Sequence, residues 1–141
     1  YSLVGSEMCI RDRVHDAARP CLKTEDIDKL IKQLSDSQYG GLLGLPMADT
    51  VKRSNSKGQV VETVDRNHLW RALTPQMFRL DMLYNAISQA LKKNLLITDE
   101  ASAVELQGLQ PLMIEGSADN IKITRPGDLG LAELYLKQQD L

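Results

Sequence analysis

The amino-acid sequence predicts an α/β fold in which helices cover a mixed or parallel β-sheet. Helix-type and strand-type segments alternate from residue 24 onward, and this alternation is typical of such sheets. The chain has 141 residues, of which 43% are apolar and 26% are charged, so it can bury a hydrophobic core and has the composition of a globular domain. We therefore expect one domain built around one sheet.

The first predicted helix begins near Thr24, whose hydroxyl suits an N-cap. Acidic residues in its first turn and lysines further along match the helix dipole. Its core-facing residues recur at the spacing i, i+3, i+4 and i+7 and are Ile27, Leu30, Ile31 and Leu34. Gly40 and Gly41 are expected to end the helix, and the apolar residues 42–45, closed by Pro46, predict a buried strand.

The next segment predicts a β-hairpin. Residues 50–53 and 59–64 are rich in β-branched side chains and flank the turn-forming residues 54–58. Both strands are too polar for the centre of a sheet, so the hairpin is expected to leave the main sheet as an arm at about residues 47–67. Its apolar side needs a partner surface, which a second copy of the chain would supply in a swapped or clasped dimer.

Strands and helices continue to alternate after the hairpin. Residues 69–73 predict a strand that runs into residues 74–76. A helix follows, and its apolar stripe consists of Leu80, Leu83, Tyr84, Ile87 and Leu91. A shorter helix is expected from Thr98, as its cap, to Gly108.

Two short strands and a last helix complete the predicted fold. The strands are expected at residues 111–115 and 121–123, on either side of a turn-rich segment. Thr124, Pro126 and Asp128 open the helix. Its apolar residues are Leu129, Ala132 and Leu136.

Charge and hydropathy argue against several classes of partner. The net charge is −2 and the 17 basic residues are scattered, so nothing predicts binding to a nucleic-acid backbone or to an anionic membrane surface. No segment approaches the roughly 18–20 apolar residues of a membrane span. The first residues lack the apolar core of a secretory signal, which leaves the cytoplasm as the expected compartment. Cys9 and Cys21 form no metal-binding or disulfide pattern, and no role is assigned to them.

A turn of small residues, HDAARP at positions 15–20, is the most informative local feature. The Asp16 carboxylate and the Arg19 guanidinium can hold a metal ion and an anionic substrate side by side. Sites of this kind lie at the carboxyl ends of strands in open α/β sheets. His15 is a candidate general base, with a purely structural histidine as the alternative.

Four polar pairs lie at predicted strand ends or turns. They are Asp16 with Arg19, Asp49 with Thr50, Asp65 with Arg66, and Asp119 with Lys122. Carboxylates and cations on loops suit a divalent metal with phosphates, although for each aspartate taken alone a role in a turn or cap is favoured. The chain contains no GxSxG, HExxH, Walker-type or paired CxxC motif. These residues therefore predict an Mg²⁺-dependent, phosphate-handling domain.

Six segments, collinear from residue 14 to the end, together resemble one family, the 2-C-methyl-D-erythritol 4-phosphate cytidylyltransferases. They are residues 14–20, 49–53, 63–67, 69–76, 98–103 and 116–126. The resemblance implies a Rossmann-like nucleotidyltransferase fold. It also implies that 2-C-methyl-D-erythritol 4-phosphate attacks the α-phosphorus of CTP and releases pyrophosphate, with Mg²⁺, in non-mevalonate isoprenoid precursor synthesis. The compartment would be the bacterial cytoplasm, or the plastid in a eukaryote.

The resemblance assigns roles to the charged residues. Asp16 would hold the metal and the substrate, and Arg19 would line the same pocket. Arg66 and Lys122 would position the methylerythritol phosphate for attack. Asp119 is a second metal candidate, or it shapes the loop that presents Lys122.

The resemblance also implies a homodimer. Thr50 and Thr74 would donate hydroxyl hydrogen bonds to the substrate. The arm at about residues 47–67 would be a dimerisation arm, so Thr50 and Arg66 would act in the partner's site.

Two departures from the family pattern concern the start of the chain. The family's glycine-rich nucleotide-binding loop has no counterpart, so residues 14–141 correspond to the C-terminal part of the family's domain, and the chain alone is not expected to bind CTP well. Residues 1–13 resemble translated sequencing-adapter read-through and are expected to be non-native, because charges at residues 11–13 would be costly in a central strand. The alternative is a divergent edge strand.

Two other functions are compatible with the sequence. A ribitol 5-phosphate cytidylyltransferase would share the fold and the turn, although residues 65–67 and 98–101 fit the methylerythritol enzyme better. A non-catalytic dimerisation or regulatory fragment is the second alternative.

Overall fold

The computed structural model describes residues 11–140, which form six strands and four helices. The strands are β1 (Arg11–Val14), β2 (Gly41–Pro46), β3 (Val51–Ser54), β4 (Val60–Val64), β5 (Trp70–Arg79) and β6 (Leu112–Glu115). The helices are α1 (Thr24–Leu34), α2 (Leu80–Lys92), α3 (Glu100–Glu105) and α4 (Pro126–Gln139). Residues 1–10, most of the segment expected to be non-native, lie outside the described residues.

The main sheet is mixed, which is one of the two arrangements that the alternation of elements predicted. Its strand order is β1-β5-β2-β6. β5 runs antiparallel to both β1 and β2, whereas β2 and β6 are parallel. The strands β1, β2 and β6 therefore point the same way, and their carboxyl ends lie along one edge of the sheet.

Helices cover both faces of this sheet because neighbouring residues of its central strands point to opposite sides. Leu43 and Met77 pack with Leu30 and Leu34 of α1 on one face. On the other face Leu42 and Phe78 pack with residues of α2 and α3, namely Leu83, Ala86, Ala101, Ala103 and Val104. The helix α4 contacts the segment that follows the HDAARP turn, where the Cys21 thiol donates to the Ala132 carbonyl oxygen at 3.5 Å. Among residues 11–140, no helix is both long and apolar enough to cross a membrane.

Among residues 11–140, the strand β1 lies at an edge of the sheet, so its charges are not in a central strand of this part of the chain. Asp12 and Arg13 are exposed, and the Arg11 guanidinium donates to the carbonyl oxygens of Leu34 and Ser35 at the end of α1. Residues 11–14 thus have the position of an edge strand. The non-native origin of residues 1–13 stays a prediction.

The predicted hairpin is present as a separate two-stranded sheet. Val51 of β3 faces Val64 of β4, and the strands are joined by a turn in which the Asn55 carboxamide accepts from the N–H groups of Lys57 and Gln59. Val60 and Val61 are each 63% exposed. The hairpin is therefore a sheet of its own and presents apolar surface to solvent.

Several predicted boundaries are wrong. Lys23 occupies the N-cap position of α1, and the helix ends at Leu34, before the glycines. Asp99 replaces Thr98 as the cap of α3, because its carboxylate accepts from the Ser102 N–H in a capping box. In both helices the cap lies one residue away from the predicted position, and the helix ends several residues earlier than predicted.

Two predictions about strands also need correction. Residues 121–123 form no strand among the described residues, although the Ile123 N–H donates to the Ala18 carbonyl oxygen at 2.8 Å. The strand predicted at residues 69–73 instead continues to Arg79. Six consecutive residues of β5, Leu73 to Phe78, are buried, so this is the central strand that periodicity alone did not reveal.

The apolar stripe predicted for α2 is only partly buried. Tyr84 and Leu91 are 70% and 66% exposed, whereas Ala86 and Ala90 are fully buried. In α4 Ala132 is buried, but Leu129 and Leu136 are exposed. The small alanines allow close packing of the helices, and the larger residues lie outside it.

Candidate active site

The candidate site lies at the carboxyl edge of the sheet, where three segments meet. The HDAARP turn, residues 15–20, follows β1, the loop of residues 116–124 follows β6, and β5 passes between them. Loops at this edge of open α/β sheets form ligand sites because the strands hold them rigidly. The turn at residues 15–20 therefore does follow a strand, as its chemistry predicted.

Asp16 lies between two cations at this edge. One oxygen of its carboxylate is 3.4 Å from Arg19 Nε and 3.7 Å from Lys122 Nζ. The Arg19 side chain is 11% exposed, whereas those of Asp16 and Lys122 are 40% and 50% exposed. The structure thus brings together three of the predicted site residues, with one side of the cluster open to solvent.

Thr74 joins the same cluster, but its hydroxyl is already engaged. The hydroxyl oxygen accepts from the Asp16 N–H at 3.0 Å and lies 2.9 Å from His15 Nδ1. His15 Nε2 lies 2.8 Å from the Arg19 carbonyl oxygen, which can only accept, so Nε2 carries a proton. In the neutral imidazole Nδ1 is then the acceptor, and the Thr74 hydroxyl donates to it. In this form, the Thr74 proton that was expected to be donated to the substrate is donated to His15 instead.

Asn120 fastens the loop of residues 116–124 to the other two segments. Its side-chain amide donates to the Thr74 carbonyl oxygen at 2.7 Å, and its main-chain carbonyl oxygen accepts from the Arg19 guanidinium at 2.8 Å. Asn120 is only 2% exposed. Sequence reasoning did not select this residue, although it lies two positions before Lys122 in a segment that resembled the family.

Two cavities flank the cluster. One, of about 240 Å³, is lined by Asp16, Arg19, Ala72, Leu73, Thr74, Gln76, Thr98, Asp99 and Lys122. The second, of about 400 Å³, shares Arg19 and Lys122 and adds Arg71, Asn120, Thr124 and Asp128 to its polar lining. A second carboxylate, that of Asp99, thus faces the cavity beside Asp16, and the other cavity is rich in cations.

Gln76 holds Asp99 in this position. The buried Gln76 amide donates to the Asp99 carboxylate at 3.0 Å and to the Leu73 carbonyl oxygen at 3.3 Å, and its oxygen accepts from the Ala101 N–H at 2.9 Å. The side chain therefore ties β5 to the start of α3. Sequence reasoning placed Gln76 just beyond the predicted strand and did not select it, because its partners Asp99 and Ala101 come from a distant segment.

The structure does not bring every predicted residue to the cluster. Thr50 and Arg66 lie at the base of the arm, where the Arg66 guanidinium donates to the Ala48 carbonyl oxygen, and neither lines the two cavities. Asp119 faces a different cavity, where its carboxylate is 3.0 Å from Lys23 Nζ. The hydrogen bond to Asp119 raises the pKa of Lys23 above its usual range.

The donor set limits how a divalent metal can bind. No group of three or more histidine, cysteine, aspartate or glutamate side chains converges among residues 11–140. Mg²⁺ commonly uses one or two carboxylates and completes its coordination with water and substrate phosphates, and the half-exposed Asp16 carboxylate fits that arrangement. Asp119 fits it less well, because its carboxylate is paired with Lys23 in another cavity.

One family matches the sequence of this chain, and two curated relatives carry the name of that family. The sequence profile of the 2-C-methyl-D-erythritol 4-phosphate cytidylyltransferase family matches residues 7–138. A curated relative of this name from Hahella chejuensis is 58% identical over 125 residues, which are 89% of this chain and 52% of the relative. A relative of the same name from Mannheimia succiniciproducens is 52% identical over 126 residues, which are 89% of this chain and 54% of the relative. The chain thus spans about half the length of the curated relatives it matches.

Solved structures agree with the sequences. The 2-C-methyl-D-erythritol 4-phosphate cytidylyltransferase of Francisella tularensis superposes with a TM-score of 0.84 at 39% identity. The superposition covers 91% of this chain and 60% of the Francisella chain. A 4-diphosphocytidyl-2C-methyl-D-erythritol synthase superposes with a TM-score of 0.81 at 46% identity, over 92% of this chain and 57% of the synthase chain. The nucleotidyltransferase fold implied by the resemblance is therefore confirmed. Because the family profile spans most of the chain and these structures share its fold, the chain belongs to the 2-C-methyl-D-erythritol 4-phosphate cytidylyltransferase family.

Proposed function

We propose that this chain supplies the substrate-binding part of an enzyme that joins 2-C-methyl-D-erythritol 4-phosphate to CTP. An oxygen of the sugar-alcohol phosphate attacks the α-phosphorus of CTP, the bond from that phosphorus to the bridging oxygen breaks, and pyrophosphate leaves. The observation that carries the proposal is the cluster of Asp16, Arg19 and Lys122 at the carboxyl edge of a family fold. Such transfers depend on positioning and on neutralising charge, and they require no protein nucleophile.

The cations of the cluster would bind the phosphate of the substrate. Lys122 is half exposed and borders both cavities, so its ammonium can reach a phosphate in either one. Arg19 is nearly buried and fixed to Asn120, so it supplies a charge of constant position. Asp16 would hold Mg²⁺ together with substrate phosphates, and the ion would neutralise phosphate charge when bound.

Thr74 and Asp119 receive revised roles in this proposal. Thr74 fixes the main chain of Asp16, and its proton is directed to His15. The second lone pair of its hydroxyl oxygen can still accept one hydrogen bond from a substrate hydroxyl. Asp119 shapes the loop that presents Lys122 through its ion pair with Lys23. Asp99, held by Gln76, is an additional acceptor for substrate hydroxyls in the smaller cavity.

The arm would complete the site of a second copy. Thr50 and Arg66 lie at the base of the hairpin, away from the cavities of their own chain, and the arm exposes Val60 and Val61. Apolar surface on a separate hairpin is best covered by another chain. We therefore propose a homodimer in which Thr50 and Arg66 contact the partner's substrate.

Residues 14–141 would form the C-terminal part of the family's domain, and the nucleotide-binding loop would come from the remainder of that domain. A chimera tests this arrangement. In it, residues 14–141 replace the matching segment of the Hahella chejuensis relative, and the unaltered relative is the positive control.

Pyrophosphate release from CTP is then measured with two phosphates. The proposal predicts release with 2-C-methyl-D-erythritol 4-phosphate at a rate within about tenfold of the control, and much slower release with ribitol 5-phosphate. Faster release with ribitol 5-phosphate would identify the other cytidylyltransferase. A folded, dimeric chimera that releases pyrophosphate with neither would indicate a non-catalytic segment.

A further inference from the structure

A buried carboxylate on α1, outside the cavities of the site, holds the beginning of the loop that carries Lys122. Asp26 is 7% exposed. One of its oxygens accepts from the Ser117 N–H at 3.0 Å, and the other accepts from the Ser117 hydroxyl at 3.0 Å. Burying a carboxylate costs free energy unless its oxygens are hydrogen-bonded. The two hydrogen bonds from Ser117 therefore allow Asp26 to be buried at this position.

The loop of residues 116–124 depends on such contacts for its shape. It contains neither helix nor strand. At its start the Gly116 N–H donates to the Gly44 carbonyl oxygen of β2 at 3.0 Å, and near its end the Ile123 N–H donates to the Ala18 carbonyl oxygen of the HDAARP turn at 2.8 Å. Between them, the Asn120 N–H donates to the Ser117 carbonyl oxygen at 3.1 Å. Ser117 is therefore the residue from which the turn towards Asn120 and Lys122 begins.

We propose that Asp26 is a positioning residue for Lys122. By fixing both the N–H and the hydroxyl of Ser117, it sets the start of the turn whose end is fixed at Asn120, and it thereby keeps the Lys122 ammonium beside Asp16. This inference rests on the proposed function for its catalytic consequence, whereas the fastening of the loop can be tested without it.

The substitutions separate positioning from charge and from general stability. Asp26→Ala removes both acceptors, and Ser117→Ala removes only the hydroxyl contact. Asp26→Asn retains the shape, and its amide can accept from the Ser117 N–H and donate to the Ser117 oxygen, so it should rescue the loop. Asp28→Ala and Asp28→Asn are the matched controls, because Asp28 is exposed on the same helix.

Two readouts are needed. In the 141-residue chain, amide hydrogen exchange of residues 117–123 should become about tenfold faster in Asp26→Ala and stay within about threefold in Asp26→Asn, with residues of β2 unaffected. In the chimera, the KM for 2-C-methyl-D-erythritol 4-phosphate should rise about tenfold in Asp26→Ala and about threefold in Ser117→Ala, while the KM for CTP changes less than twofold. The Asp28 variants should match the unsubstituted protein in both.

Unchanged exchange and an unchanged KM in Asp26→Ala would overturn the proposal, as would an equal rise in the KM of both substrates. If Asp26→Ala does not fold, Ser117→Ala carries the test, and wild-type values in that variant overturn it. If the unsubstituted chimera forms no pyrophosphate with this substrate, the proposed function fails. The exchange measurement then still decides whether Asp26 fastens the loop.

Discussion

The hydroxyl of Thr74 lies 2.9 Å from His15 Nδ1, and the same oxygen accepts from the Asp16 N–H at 3.0 Å. His15 Nε2 lies 2.8 Å from the Arg19 carbonyl oxygen. The imidazole therefore links the end of the HDAARP turn, at Arg19, to Thr74 of β5. His15 therefore acts on the site by holding Asp16 and Thr74 in place, and its nitrogens are both engaged.

Replacing His15 should weaken catalysis without unfolding the protein. His15→Ala removes the acceptor of the Thr74 hydroxyl, and the turn that carries Asp16 loses its brace. We expect kcat/KM in the chimera to fall about 10–100-fold, with a thermal midpoint within a few degrees of the unsubstituted chimera, because His15 is exposed. The control is His68→Ala, because His68 is exposed in the segment between β4 and β5. Wild-type kcat/KM in His15→Ala would show that the brace is dispensable.

Gln76 should be needed for stability. Gln76→Ala leaves the buried Ala101 N–H and Leu73 carbonyl oxygen without their side-chain partner. We expect the free energy of unfolding, measured with urea, to fall by about 1–3 kcal/mol. Gln33→Ala on the exposed face of α1 should change it by less than about 0.5 kcal/mol. Equal effects of the two substitutions would contradict the role assigned to the Gln76 network.

Two glycines should respond to alanine in opposite ways. Gly40 has a φ of +69°, and a Cβ there would lie 2.3 Å from the Met77 carbonyl oxygen of β5. Gly40→Ala should therefore destabilise the fold by on the order of 3 kcal/mol. Gly130 lies inside α4 with open space around it, so Gly130→Ala should stabilise the helix by about 0.5–1 kcal/mol. Urea unfolding of both variants is the measurement, and a stable Gly40→Ala protein would argue against the close approach of residue 40 to β5.

Asp128 should make stability depend on acid pH. Hydrogen bonds from the N–H groups of Thr124 and Arg125 lower its pKa below the usual 3.8. A carboxyl whose pKa is lower in the folded protein contributes stability above its unfolded pKa, and this contribution is lost as the pH falls through the folded value. Asp128→Asn should therefore be less stable than the wild type at pH 7, and the difference should shrink between about pH 5 and about pH 2.

The matched control for that experiment is Asp36→Asn, at an exposed position beyond the end of α1. Its difference from the wild type should be small at every pH. A constant difference between Asp128→Asn and the wild type across the titration would contradict the linkage.

The sequence predicted the elements that have strong local signals. The amphipathic spacing of Leu30 and Leu34, the apolar run of β2 and the turn of the arm each report a local structure, and all three are present. The placement of Asp16 and Arg19 in a turn after a strand also followed from their neighbours, whereas Lys122 lies in the loop after β6 and not in the strand predicted at residues 121–123. Their meeting at one edge follows from β1, β2 and β6 pointing the same way.

Other features depend on contacts between distant segments and left no local pattern. Gln76 is polar and follows a proline, yet it is buried because Asp99 and Ala101 supply its partners. Tyr84 has the spacing of a core residue but is exposed, because α2 packs through its alanines. Such positions are determined by the tertiary fold, which overrides the periodicity of a single helix.

Pyrophosphate release by the chimera with Lys122→Met tests the central claim most directly. Methionine retains most of the apolar stem and removes the charge beside Asp16, and Lys137→Met on exposed α4 is the control. The account predicts that release from CTP with 2-C-methyl-D-erythritol 4-phosphate falls about 100-fold in Lys122→Met, with unchanged folding, and stays unchanged in Lys137→Met. Release at the unsubstituted rate in a folded Lys122→Met chimera would contradict it.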